Sequence, residues 1–164
     1  MRTLRHVLEE AGATRVHLVQ ADLQQPAPFT ATFDCVFVDA PCSGLGTLRR
    51  DPDIKWRRQP HDLEAMARTQ RQLVDRAAAA VSPGGRLVYA TCSTEPEEND
   101  QIADSVAAAP GFRRIDARQT HPALSPSVVD ATGALRTTPY DHGLEGFYGA
   151  VFDRAAEGAA AKVM

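Results

Sequence analysis

A chain of 164 residues is long enough for one domain with a real core but not comfortably for two. With 43% hydrophobic and 24% charged residues it has an ordinary globular composition. It has no apolar run long enough to span a bilayer and no apolar stretch behind Met1-Arg2-Thr3-Leu4-Arg5-His6 to serve as a secretory signal, so a cytoplasmic location away from membranes is expected. The net charge of −3 supplies no general basic field, so any contact with nucleic acid must come from a local patch. Three cysteines, an odd number without an export signal, point to free or reactive thiols rather than a disulfide framework, and no metal site is expected.

In chain order, Leu4, Val7, Leu8 and Ala11 recur at helical spacing, and Gly12 is placed to end that helix. Val16-His17-Leu18-Val19 reads as a short strand leading to Asp22, followed by a loop over Gln24 to Thr32 with Pro26 and Pro28. Phe33 to Val38 is a near-continuous apolar run, the pattern of a strand buried on both faces, and it stops at Asp39-Ala40-Pro41. Residues 43–61 carry Gly44, Gly46, Pro52 and Pro60 and predict no single regular element. From Asp62, a candidate N-cap, Leu63, Met66, Gln70, Leu73, Val74 and Ala77 keep a helical period to about Val81. Ser82-Pro83-Gly84-Gly85 predicts a turn, and Arg86 to Ala90 a second buried strand that ends at Thr91-Cys92. Thr94-Glu95-Pro96-Glu97 fits a capping box opening a helix through Val106. Phe112–Asp116 and Gly146–Asp153 are the last strand candidates, separated by a long functional loop over 117–145.

This alternation predicts an α/β fold with a mostly parallel sheet, in which ligands bind beyond the carboxyl ends of the strands. Asp22, the Asp39-to-Cys42 run and Thr91-Cys92 each lie just past such an end, so three polar motifs converge on one edge. A cysteine at a strand end, beside a helix N-terminus and near the basic stretch 49–58, is in a setting that lowers a thiol pKa, and Cys92 has that setting. Buried cysteines are also common as small hydrophobes, so position alone leaves Cys42 and Cys92 open between the two roles and makes Cys35 a core residue. Asp39 closes an apolar strand, where an acid needs water, a partner or a ligand. Ser43-Gly44-Leu45-Gly46-Thr47 lacks the spacing of a phosphate loop. Arg49, Arg50, Lys55, Arg57 and Arg58 around Trp56 suit phosphate contacts plus base stacking, with Asp51 and Asp53 offsetting part of the charge.

Asp39-Ala40-Pro41-Cys42-Ser43-Gly44, Arg49 to Trp56, Tyr89-Ala90-Thr91-Cys92-Ser93 and Glu97-Glu98-Asn99 together resemble the Sun/NSUN family of RNA 5-methylcytosine methyltransferases, over residues 1–153. That resemblance implies a Rossmann-like class I methyltransferase sheet, S-adenosylmethionine as cofactor and an RNA substrate, ribosomal RNA foremost. It implies Cys92 as the nucleophile adding to carbon 6 of cytosine and Cys42 as the residue assisting breakdown of the adduct. Asp39 would contact the base edge close to the methyl donor, with Pro41 beside it, and Asp22 the adenine end of the cofactor. Glu145-Gly146-Phe147-Tyr148 resembles the family's closing Asp-Gly-Phe-Phe motif, with glutamate in the acidic place. DNA cytosine methyltransferases share a Pro-Cys motif but not the second, Thr-Cys one.

The family's Gly-rich cofactor loop with its lysine, and the acidic residue for the ribose, precede the helix that opens this chain. The sheet is therefore expected to lack its first two strands, Met1 to be an internal or misassigned start, and residues 154–164 to form a disordered tail. An inactive remnant that still touches RNA is the alternative function. A redox pair of Cys42 and Cys92 is a third reading, without Cys-x-x-Cys spacing to support it.

Overall fold

The computed structural model describes residues 2–23, 25 and 28–157. The expected helix is α1 (Arg2–Glu10), closed where Gly12 takes a left-handed φ of 65° and Ala13 N–H reaches back to the Leu8 carbonyl. Val16 to Val19 is not a strand: it is irregular, with Val16 and Val19 exposed and Leu18 half-buried, and no strand is paired to it among the described residues. Apolar side chains alone do not make a strand when the backbone has no ladder to join. The loop expected over 24–32 falls partly outside the described residues.

The sheet begins with β1 (Phe33–Asp39). A short 3₁₀ turn at Leu45–Thr47 and a single helical turn, α2 (Ile54–Arg57), lead to the long α3 (Pro60–Ala79). The N-cap of α3 is Gln59, not Asp62; Asp62 is the third helical residue, and the two side chains form a reciprocal capping box helped by Pro60 at the first position. β2 (Val81–Thr91) follows at once. The turn expected at Ser82–Gly85 is a bulge inside it, since Val81 pairs with Phe33 and Arg86 already pairs with Cys35.

The helix expected from Thr94 starts later, as α4 (Asp100–Ala107). Residues 96–99 form turns, and the Thr94 hydroxyl bonds Glu95 rather than a helix amide. β3 (Phe112–Ile115) comes next. The region expected as one loop holds α5 (Ala117–Thr120), a 3₁₀ turn at Pro126–Val128, β4 (Leu135–Thr137) and α6 (Pro139–His142). β5 (Phe147–Arg154) completes the sheet, and its last residue takes the first position assigned to the tail; residues 158–164 lie outside the described set.

The strand order is β1-β2-β5-β3, with β4 also on β5. Among the described residues only β1 and β2 pair in parallel, joined through α3; β5 runs antiparallel to β2, β3 and β4. The expectation of a mostly parallel sheet is corrected accordingly, because the last strand, β5, inserts antiparallel between β2 and β3, which are themselves connected through α4. α3 and α4 cover one face, where Val74, Val81, Leu87, Tyr89, Ile102, Tyr148 and Phe152 are buried. On β2 buried and half-buried residues alternate, as on a strand with one packed face. β1 is not buried on both faces either. Among the described residues it has a neighbouring strand on one edge only, Phe37 is 63% exposed, and Cys35 is an exposed residue rather than a core one. No described helix is long and apolar enough to cross a membrane.

Candidate active site of paired cysteines

Because β1 and β2 are parallel neighbours, their carboxyl ends stop side by side. Asp39 pairs with Ala90, and Ala40 N–H donates to the Ala90 carbonyl at 2.9 Å. The two turns that follow, Pro41-Cys42-Ser43 and Cys92-Ser93, therefore leave the sheet together. Their sulfurs, both half-buried, lie 3.2 Å apart. Gly44, at φ 77°, turns the first segment away from the strand, and a side chain there would press on Ile54.

Beneath the thiols lies a fully buried polar cluster of Ser43, Gln70, Thr91, Ser93, Glu98 and Asn99. The Glu98 carboxylate accepts from Ser43 N–H at 2.8 Å, the Ser43 hydroxyl at 2.6 Å and the Gln70 amide at 3.0 Å, and also from the Ser93 hydroxyl. Gln70, from the middle of α3, donates to the Pro41 carbonyl at 2.9 Å as well. Tyr89 donates to the Glu98 carbonyl at 2.6 Å, and its burial raises its pKa, so the hydroxyl stays protonated for that bond. Asn99 accepts from Thr91 and donates to the Ser93 carbonyl at 2.9 Å. Burial, and next the Cys92 thiol beside it, push the Cys42 pKa from 9.0 up to about 12. Cys42 is thus a neutral thiol at any physiological pH.

Cys92 follows the end of β2 as expected but is not at a helix N-terminus, because α4 begins only at Asp100. Asp39 and Pro41 are exposed at the end of β1. Asp22 is exposed in the irregular stretch before β1, and its neighbour Leu23 is tied through its carbonyl to Arg76, further along α3 than Gln70. In the basic stretch, Arg58 donates to the Ser43 carbonyl at 2.9 Å, Arg57 pairs with Asp53 at 3.1 Å, and Arg49 reaches the Gly143 carbonyl at 3.3 Å. Half-buried Arg58 therefore braces the cysteine turn. Lys55 stacks 5.4 Å from the Trp56 ring, which is 76% exposed, and Arg50 is exposed beside them. Glu98 and Gln70 went unassigned in the sequence; the available signal was Glu98 within a recognised motif and Gln70 on the inner stripe of α3. No group of three metal-ligating side chains occurs among the described residues.

Residues 1–153 match the family described as 16S rRNA methyltransferase RsmB/F. The ribosomal RNA small subunit methyltransferase B of Shewanella oneidensis is 44% identical over 117 residues, covering 71% of this chain and 26% of that protein. The small subunit methyltransferase F of Serratia proteamaculans is 39% identical over 154 residues, covering 90% and 31%. The solved structure of NSun6 from Pyrococcus horikoshii with SFG superposes with a TM-score of 0.81 at 25% identity, over 95% of this chain and 39% of that one. The sheet and these likenesses define a Rossmann-like methyltransferase fold. The chain belongs to the RsmB/F family of 16S rRNA methyltransferases. It spans between a fifth and a third of the length of the curated relatives it matches.

Proposed function

We propose that this chain is the base-attacking part of an S-adenosylmethionine-dependent enzyme that methylates carbon 5 of a cytosine in RNA, ribosomal RNA foremost, in the cytoplasm. The observation that carries the reading is the pair of thiols at 3.2 Å on adjacent strand ends. Family membership supports the reaction class, and the SFG of the Pyrococcus relative, an S-adenosylmethionine analogue, supports the cofactor.

In this reading Cys92 adds to carbon 6, which breaks the aromaticity of the ring and makes carbon 5 nucleophilic; one hard step becomes two easier ones. Bound S-adenosylmethionine supplies the electrophilic methyl group. Exposed Asp39 and Pro41, at the end of β1, fit the methyl-donor side of the cofactor, and Asp39 also reaches for the edge of the base. Asp22 serves the adenine end. Cys42, held neutral, suits donating a hydrogen bond to the sulfur of Cys92 as the carbon–sulfur bond breaks and the carbon 5 proton passes to water. The target cytosine must be unstacked to enter, and Arg49, Arg50, Lys55, Trp56, Arg57 and Arg58 form the nearby cationic and aromatic surface for its strand.

Incubation with S-adenosylmethionine and RNA carrying 5-fluorocytosine tests the assignment, because fluorine in place of the carbon 5 proton stalls release. A covalent complex that maps to Cys92 and vanishes in Cys92→Ala is expected. With ordinary RNA, Cys42→Ala should accumulate the adduct. Full turnover by Cys92→Ala would overturn the roles.

A further inference from the structure

We propose that Glu98 is the positioning residue of the paired-cysteine site, one carboxylate that holds the residue after each cysteine and so sets the spacing of the two thiols. Ser43 follows Cys42 and Ser93 follows Cys92. Oε1 of Glu98 takes the Ser43 N–H at 2.8 Å and Gln70 at 3.0 Å; Oε2 takes the Ser43 hydroxyl at 2.6 Å and the Ser93 hydroxyl. The two hydroxyls are themselves 3.2 Å apart.

Three features separate this from ordinary packing. The Glu98 side chain is fully buried, where an apolar residue of the same length would fill the space without the cost of desolvating a carboxylate. The two sulfurs lie 3.2 Å apart on turns that leave neighbouring strands, so their spacing depends on how those turns are held. The clamp is also rigid on one side. Tyr89 holds its carbonyl, and Asn99 fixes the adjoining backbone to Thr91 and Ser93, so Glu98 moves with β2 and acts on the turn after β1. Gln70 steadies that same turn through the Pro41 carbonyl.

The catalytic meaning of the clamp rests on the function proposed above; its geometry does not. The test therefore uses thiol chemistry that needs no RNA. In a Cys35→Ser background only Cys42 and Cys92 remain, and diamide takes two electrons and two protons from them as the disulfide forms. The parent chain should crosslink rapidly. Glu98→Gln keeps the length and shape of the side chain but puts an amide donor among groups that need an acceptor, so crosslinking should slow by about tenfold or more. Ser93→Ala, which removes a single strut, should slow it less. Thermal melts by circular dichroism verify that each variant is folded. A parent that does not crosslink, or folded Glu98→Gln reacting at the parental rate, would overturn the proposal; if Glu98→Gln does not fold, an undiminished rate in Ser93→Ala does so. In RNA methylation the clamp predicts a fall in kcat for Glu98→Gln with KM for RNA unchanged. Rapid crosslinking without any RNA adduct would count against the enzyme reading and leave the clamp standing.

Discussion

Gly46→Ala should unlock the cysteine turn from the backbone side. A Cβ at Gly46 would sit 2.0 Å from the Gly146 carbonyl oxygen, 2.8 Å from its carbon and 2.9 Å from the Cys92 carbonyl oxygen. All three are backbone atoms, so no side chain can rotate away. Carbon needs about 3.5 Å, and the segments must part by more than an ångström. That breaks the bonds from Gly46 N–H to the Cys92 carbonyl, 3.0 Å, and from Gly146 N–H to the Gly46 carbonyl, 2.8 Å. Each is worth about 1 kcal/mol net, and overpacking adds about 1–3 kcal/mol. The expected loss is about 3–5 kcal/mol, out of a total that for such domains is only about 5–15 kcal/mol. Urea unfolding monitored by circular dichroism measures it as a lower midpoint at unchanged slope. A loss below about 1 kcal/mol would show that the contact relaxes freely and refute the reasoning.

Further outcomes follow from other contacts. Cys42 binds its proton more tightly folded than unfolded, so the stability it contributes is complete below pH 9.0 and declines as pH climbs toward about 12; unfolding at stepped pH should show a slope above pH 9.0 that Cys42→Ala flattens. Arg136 bonds Asp100 at 2.7 Å and Asp130 at 3.2 Å while lying 4.9 Å from the centre of the Tyr148 ring. Its replacement by alanine should cost about 2 kcal/mol in urea unfolding, and lysine should recover less than half, because an ammonium cannot span two carboxylates and an aromatic face. Trp56→Ala should leave the melting temperature unchanged, since the ring is 76% exposed, while weakening RNA binding by about 1–3 kcal/mol in a fluorescence titration. Unchanged RNA affinity would remove Trp56 from the proposed surface.

Local and chemical features were legible in the sequence alone. The 3.6-residue period marked α1 and α3, the apolar runs marked β1, β2 and β5, Phe112–Asp116 stood as a strand candidate where β3 forms, and the two cysteine motifs marked both the family and the edge of the sheet that bears them. Each of these follows from side chains a few residues apart, where composition and spacing suffice. Burial did not follow. Phe33 to Val38 looks like a strand covered on both faces, yet its Phe37 stands in solvent, because exposure depends on which strands and helices lie alongside and not on the strand's own residues. Thr94 looks like a cap, yet the helix waits until Asp100, because Glu98 and Asn99 are committed to the cluster beneath the cysteines. Only the tertiary structure brought residues 42 and 92 to 3.2 Å and set one buried carboxylate between residues 43 and 93. Parallel pairing made that possible: it ends two strands at the same level, fifty residues apart in the chain, and no local pattern records which ends will meet.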